Sequence, residues 1–281
     1  MERSVFYDLA CENFEKKETK NQRSNVWESP SGNLQLLWGE DEHHGAYTIF
    51  FTQPFWLMEE ECFFETRKKL SEELFRLFSQ YIGKEKTLLV AGLGNPKMTA
   101  DALGAEVVDR VTVTRKILFE EERSRIRVSA VSMGVLGNTG IETVEHLRGI
   151  CEQIRPNVVL AVDALSSKSK ERLGATIQLS SGGISPGSGV DMAQTRLSQS
   201  TVGVPVISLG VPTVIHSSSI LRAALEELGI EDREQSKKIL EREKGLFVMP
   251  KESDLLLRSA ATLLASAIDL ACHSFASNGI Y

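Results

Sequence analysis

The strongest constraint on the fold is a pair of runs, Leu88-Leu89-Val90-Ala91 and Val158-Val159-Leu160-Ala161-Val162, that are apolar at every position instead of at alternate ones. A strand of this kind is covered on both faces, and such strands belong to parallel sheets flanked by helices. The flanking layers are legible as helical spacing. Apolar residues at Phe63, Phe64, Leu70, Leu74, Leu77, Phe78 and Tyr81 predict a long amphipathic helix from Glu59, ended by Gly83. Further helices are expected at Leu103 to Arg110, Thr143 to Gln153 and Ser253 to Ala271. Strands are expected at Arg125 to Val131, Asn157 to Val162, Ala175 to Leu179 and Val204 to Leu209, with Pro205 marking the start or an edge of the last. Repeated strand–helix alternation predicts βαβ units and an α/β fold with a mainly parallel central sheet. Leu34 to Trp38 and Tyr47 to Phe51, separated by Gly39 to Gly45, read as a hairpin forming a small N-terminal β extension.

Composition excludes several classes. With 42% hydrophobic and 25% charged residues the chain is ordinary for a soluble protein, and no apolar run approaches the ~20 residues that cross a bilayer. No membrane partner is expected. The segment Met1 to Asp8 lacks the charged-then-apolar order of an export signal, so an intracellular location is expected. A net charge of −6 disfavours direct nucleic-acid binding by the whole surface, and Arg67-Lys68-Lys69 reads as a solvated helix face. Cys11, Cys62, Cys151 and Cys272 are scattered without metal-ligand or redox spacing, which predicts thiols. Residues 1–25 are polar and aperiodic and read as a loosely held arm, with a single α/β domain over residues 26–281.

Three familiar motifs fail on chemistry. Gly92-Leu93-Gly94-Asn95-Pro96 follows a strand as a phosphate-binding turn would, but Lys97 stands where a dinucleotide fingerprint needs its third glycine, and no P-loop lysine follows. The same five residues open the motif of peptidyl-tRNA hydrolases, yet Lys97-Met98-Thr99-Ala100-Asp101 replaces the segment that would carry the catalytic histidine. Gly183-Ile184-Ser185-Pro186-Gly187 spells a nucleophile elbow, with Asp191 and His216 downstream, but Pro186 has no N–H to offer an oxyanion. The histidines show no His-Glu-x-x-His, and His43 and His44 cannot both face one site from a strand. No metal or other cofactor is expected. His216, after the apolar Gly210 to Ile215, is a candidate for either a site or a structural role.

What remains is a pair of aspartates, Asp101 and Asp163, each in Asp-Ala-Leu and each just beyond a strand-like region. In open parallel sheets ligands and chemistry collect at the carboxyl edge, so both carboxylates are candidates for one cleft. There they would share a proton, one acting as acid and the other as base toward a water that attacks a peptide carbonyl. The competing reading makes each an N-cap of the following helix. The pepsin-type Asp-Thr-Gly is missing, its nearest spelling being Asn138-Thr139-Gly140.

At these residues the chain resembles the germination proteases of endospore-forming bacteria. The resemblance rests on Gly92 to Asn95, Thr99 to Gly104, Val113 to Arg115, Gly140 to Thr143, Ala161 to Leu165, Gly187 to Val190, Gly210 to Val214 and Met249 to Glu252, in family order. It implies an atypical aspartic endopeptidase with Asp101 and Asp163 as its catalytic pair, and a three-layer fold similar to hydrogenase-maturation endopeptidases. It also implies a homotetramer of the forespore and spore core whose substrates are small acid-soluble spore proteins, made as a zymogen that trims its own N-terminus. The family cuts after an acidic residue and before a hydrophobic one followed by Ala. Asp8-Leu9-Ala10 meets that pattern, so the Asp8–Leu9 bond is the expected processing site and residues 1–8 the expected propeptide. His216, where the family often has an acidic residue, and Pro96, where it has a bulkier one, depart from the pattern. Two other classes stay open on the residues alone: a noncatalytic spore protein of the same fold, and a peptidase that holds a metal through the same carboxylates.

Overall fold

The computed structural model describes residues 8–14, 25–83, 86–116, 126–187, 195–230, 233–243 and 246–277. Its strands are β1 (Asn25–Glu28), β2 (Gln35–Asp41), β3 (Gly45–Phe51), β4 (Thr87–Gly92), β5 (Arg127–Ser132), β6 (Val158–Ser167), β7 (Thr176–Ser180), β8 (Val206–His216) and β9 (Phe247–Val248). They form one sheet in the order β1-β2-β3-β7-β8-β6-β4-β5, with β9 paired to the far end of β8. The strands β8, β6, β4 and β5 run parallel, as the doubly apolar runs require. The other half is antiparallel. The N-terminal hairpin is therefore continuous with the central sheet, because β3 pairs with β7, setting Phe50 against Ile177 and Ile49 against Gln178.

Helices cover both faces. Leu88, Val90, Leu160, Val162, Ile207 and Leu209 point to one side, into a core shared with α2 (Glu60–Tyr81), α3 (Leu103–Val108) and α9 (Ser253–Ser277). Leu89, Ala91, Val159, Ala161 and Leu165 point to the other, where they meet α5 (Thr143–Ile154) through Val144, Leu147 and Cys151. Alternate residues of the same strands thus feed two cores, which makes the three-layer α/β architecture expected from sequence. In α9, the residues Leu256, Ala260, Leu263, Leu264, Ala267, Ile268 and Ala271 are buried, and its small side chains let it pack closely on α2 and α3. The stretch Ser253–Ser274 is long and apolar enough to cross a bilayer, a property it shares with core helices, and more than half of its most apolar part is buried inside the protein. The short α4 (Leu136–Thr139) and α6 (Gln199–Val202), and α7 (Ser217–Glu227) and α8 (Glu234–Arg242), complete the helices among the described residues, together with α1 (Ala10–Phe14).

The segment before α2 departs from expectation. The polar arm was expected to be loosely held, yet Leu9 and Ala10 are 0% exposed and join Cys11, Tyr47, Ile49 and Leu165 in the second core. Three consecutive apolar residues are too few to register as a helical period, so the sequence pattern hid a docking element. Residues 1–7 and 15–24 of that arm, which include most of the expected propeptide, lie outside the described residues.

Candidate active site

Asp163 is held inside a strand. The expected end of this strand at Val162 is corrected: β6 runs on to Ser167, and Asp163 pairs with Gly210 of β8. The last pair between β4 and β6 is Gly92 with Val162, so Asp163 stands one residue past the end of β4, where the sheet opens. Asp101 arrives from the loop that leaves β4. That loop turns at Gly94, which has φ +93°, and an added Cβ there would lie 2.1 Å from the Asp101 carbonyl oxygen. Both the left-handed backbone and the close approach require glycine.

Three contacts fix the turn Thr99–Asp101. The Asn95 N–H donates to the Asp101 carboxylate at 2.7 Å, and the Thr213 hydroxyl donates to the Ala100 carbonyl at 2.6 Å. Thr213 is free to do so because it is the residue skipped where the β6–β8 register shifts, between Leu165 opposite Pro212 and Ser166 opposite Val214. Pro212 offers no N–H to the ladder, and the irregularity beside it re-aims the next side chain at the Asp101 turn. Thirdly, Gly104 in α3 lies against the backbone of Leu93 and Val162. Neither aspartate is an N-cap. Ala102 occupies that position for α3 without a side-chain bond, and Asp163 is within β6.

The electrostatics separate the two carboxyls. Asp163 is 5% exposed, and its pKa is raised well above the ordinary value by burial, then by the neighbouring Asp101 and Asp8. The Ala164 N–H, 2.9 Å from Asp163 Oδ1, acts in the opposite direction. Asp101 is raised by burial and lowered by the Asn95 N–H. Asp163, the more deeply buried of the two, is therefore the member that retains a proton, and Asp101, with the Asn95 N–H on its carboxylate, ionises more readily. Among the described residues no group of three or more His, Cys, Asp or Glu is arranged to hold a metal ion.

The N-terminal segment lies on the same face. The Asp8 carboxylate accepts from the Ser166 N–H at 2.8 Å and the Ser166 hydroxyl at 2.9 Å, three residues along β6 from Asp163. The amide of Gln178 spans the next two residues: its Nε2 donates to the Asp8 carbonyl and its Oε1 accepts from the Ala10 N–H, each at 2.7 Å. Glu12, 1% exposed, accepts from the Lys168 N–H at 2.9 Å and the Ser167 hydroxyl at 3.0 Å, and meets Arg172 at 3.3 Å. Asp8 also acts on His43, whose pKa burial and then the Arg196 charge push down to about 4.

The sequence model of germination proteases matches residues 39–238, a span that holds both aspartates and every strand from β3 to β8. The chain belongs to the germination protease family. The germination protease of Caldanaerobacter subterraneus subsp. tengcongensis is 39% identical over 239 residues, covering 74% of this chain and 73% of the relative. That of Clostridium acetobutylicum is 35% identical over 255 residues, covering 81% and 78%. That of Halalkalibacterium halodurans is 44% identical over 186 residues, covering 62% and 50%. As a germination protease homologue the chain is a peptidase.

Other candidates fall away from this centre. His216 ends β8, six residues beyond Gly210, and its ring packs on Phe247 with centroids 4.6 Å apart. Ser185 stands between Ile184, which bridges to Leu197, and the turn at Pro186 and Gly187, where Pro186 has no N–H to donate; Asp191 lies outside the described residues. Sequence reading missed Gln178, Ser166 and Thr213. The available signal for Gln178 was a lone amide in the apolar run Ala175 to Leu179, since a buried polar side chain in a strand interior needs named partners.

Proposed function

We propose that this germination protease homologue is an endopeptidase that cleaves small acid-soluble spore proteins during germination, using Asp101 and Asp163 to activate water. It cuts after an acidic residue and before a hydrophobic residue followed by Ala. The ionised carboxylate takes a proton from water as the water oxygen bonds to the scissile carbon, and the carbonyl π pair moves onto its oxygen. The protonated carboxyl then gives its proton to the departing nitrogen as the C–N bond breaks. The dyad ends with one proton, on the other member, and the products are an acid and an amine. The different settings of the two carboxyls favour Asp101 as the initial base and Asp163 as the initial acid, although the pair titrates as a unit.

The observation that carries this reading is the seat of Asp8-Leu9-Ala10 on the sheet face beside Asp163. A segment with the cleavage pattern lies where a substrate would, which supports a zymogen that cuts its own Asp8–Leu9 bond. We extend the reading to action in the forespore and spore core, and to a homotetramer. In support of self-association, α7 buries no residue in the single chain and exposes Ile220.

The test is cleavage of a peptide with an acidic–hydrophobic–Ala site by acid-treated protein, with and without chelator, beside Asp101→Asn and Asp163→Asn. The expected result is cleavage by wild type alone, unaffected by chelator, with intact mass showing loss of residues 1–8. Full activity in either variant refutes the pair, and loss with chelator reassigns the carboxylates to a metal. No cleavage by trimmed protein favours the noncatalytic reading.

A further inference from the structure

Asp163, Gly210 and Gln178 lie in one register row across three neighbouring strands: Asp163 pairs with Gly210, and Gly210 pairs with Gln178. Residues paired in this way project to the same face. The outer two backbones of such a row stand about 10 Å apart, and the middle residue has no side chain. An acid and an amide thus flank a strip of sheet on which a peptide backbone can lie. The segment Asp8 to Ala10 occupies that face in this structure.

The partners of Gln178 define its role. One is a carbonyl and the other an N–H, so the amide can be oriented in only one way, with Nε2 toward the Asp8 carbonyl and Oε1 toward the Ala10 N–H. The two bonds bracket Leu9 at the bend that leads into α1, and they read no side chain. The carbonyl held by Nε2 belongs to the Asp8–Leu9 bond itself. On attack by water that oxygen becomes an oxyanion, and a neutral N–H donor already aimed at it gains strength as the charge develops. Gln178 is buried within β7, all of whose residues are buried, so the donor is fixed before the reaction begins.

We infer that Gln178 is a catalytic residue that grips the backbone of every substrate across the scissile bond, donating to the carbonyl oxygen that becomes the oxyanion and accepting from the N–H two residues on. This rests on the proposed peptidase reading and on the docked segment marking the substrate path. It assigns the oxyanion to an amide on β7, opposite the acids, and so divides the labour between two sides of Gly210.

The test is steady-state cleavage in trans of the acidic–hydrophobic–Ala peptide by acid-treated wild type, Asp163→Asn and Gln178→Met. Methionine keeps the length and apolar bulk but removes both polar atoms. Loss of one oxyanion donor is expected to lower kcat by about 10²–10³-fold. Thermal unfolding should stay close to wild type. A second measurement needs no variant: a peptide with lactate in place of the alanine lacks only the N–H that Oε1 accepts. Its KM on wild type should rise by roughly tenfold. Wild-type kcat in Gln178→Met, or an unchanged KM for the lactate peptide, overturns the inference while active wild type and inactive Asp163→Asn leave the peptidase reading standing. If Gln178→Met does not fold, the lactate peptide decides. Inactive wild type refutes the underlying reading itself.

Discussion

A methyl group at Gly104 tests whether the active site depends on backbone-to-backbone packing. A Cβ built there would lie 2.3 Å from the Leu93 nitrogen, 2.4 Å from the Leu93 oxygen and 2.6 Å from the Val162 oxygen, against 3.4 Å for ordinary contact. All three obstacles are backbone atoms, Leu93 just past the end of β4 with its N–H bonded to the Val162 carbonyl of β6, and none can swing away as a side chain would. Relief requires α3 to retreat by about 1 Å, carrying the Asp101 turn away from Asp163. Overpacking of this kind costs typically about 1–3 kcal/mol, and rigid obstacles put Gly104→Ala at the upper end. For a chain of this size that is a fall in Tm of roughly 5–10 °C. Because a displacement of about 1 Å at reacting groups can cost about 10²-fold in rate, kcat should fall by that order while a correctly folded core persists. Thermal unfolding followed by circular dichroism, with peptide cleavage on the same preparation, measures both. Wild-type Tm together with wild-type kcat in Gly104→Ala would refute the argument that this contact sets the aspartate spacing.

Three further outcomes follow from named contacts. Asp163 keeps a raised pKa when folded, so its contribution to stability is fully present below about 3.8 and is lost as pH rises through the raised value; Asp163→Asn should unfold at a higher temperature than wild type at neutral pH and converge with it in acid, and an unchanged difference across pH counts against burial as the cause. Thr213→Val removes the hydroxyl that holds the Ala100 carbonyl, and should lower kcat about tenfold with KM unchanged and stability reduced by about 1 kcal/mol; equal loss in KM would show that the turn binds substrate instead of positioning Asp101. Arg172→Met strips the cation from buried Glu12 and should weaken docking of the N-terminal segment by about 1.5–3 kcal/mol, read as amide exchange at residues 9–12 faster by about 10–100-fold; wild-type exchange rates would show that the apolar contacts of Leu9 and Ala10 hold the segment alone.

These tests fall on residues that sequence reading reached unevenly, for a physical reason. Patterns repeated over many residues were legible: the doubly apolar β4, the 22-residue α2 and the α5 helix have nearly the expected bounds, and β6 begins within a residue of the expected position but runs five residues further, to Ser167. The two aspartates could be singled out as candidates because each follows a strand-like apolar region in the same Asp-Ala-Leu frame. Features that depend on one contact between distant residues were not. Thr213 matters through a register shift, Gly104 through the backbone it touches, and Gln178 through a partner 170 positions away, none of which leaves a period in the sequence. The docked segment joins both kinds. Its match to the cleavage pattern could be read from Asp8-Leu9-Ala10, while its grip could not, because the amide, hydroxyls and guanidinium that hold it come from β6, β7 and the intervening loop. If the proposed reading of Gln178 holds, recognition is set by sheet register more than by any motif: a substitution that slips β7 against β8 by one residue would turn Gln178 to the opposite face and abolish cleavage with Asp101 and Asp163 both intact.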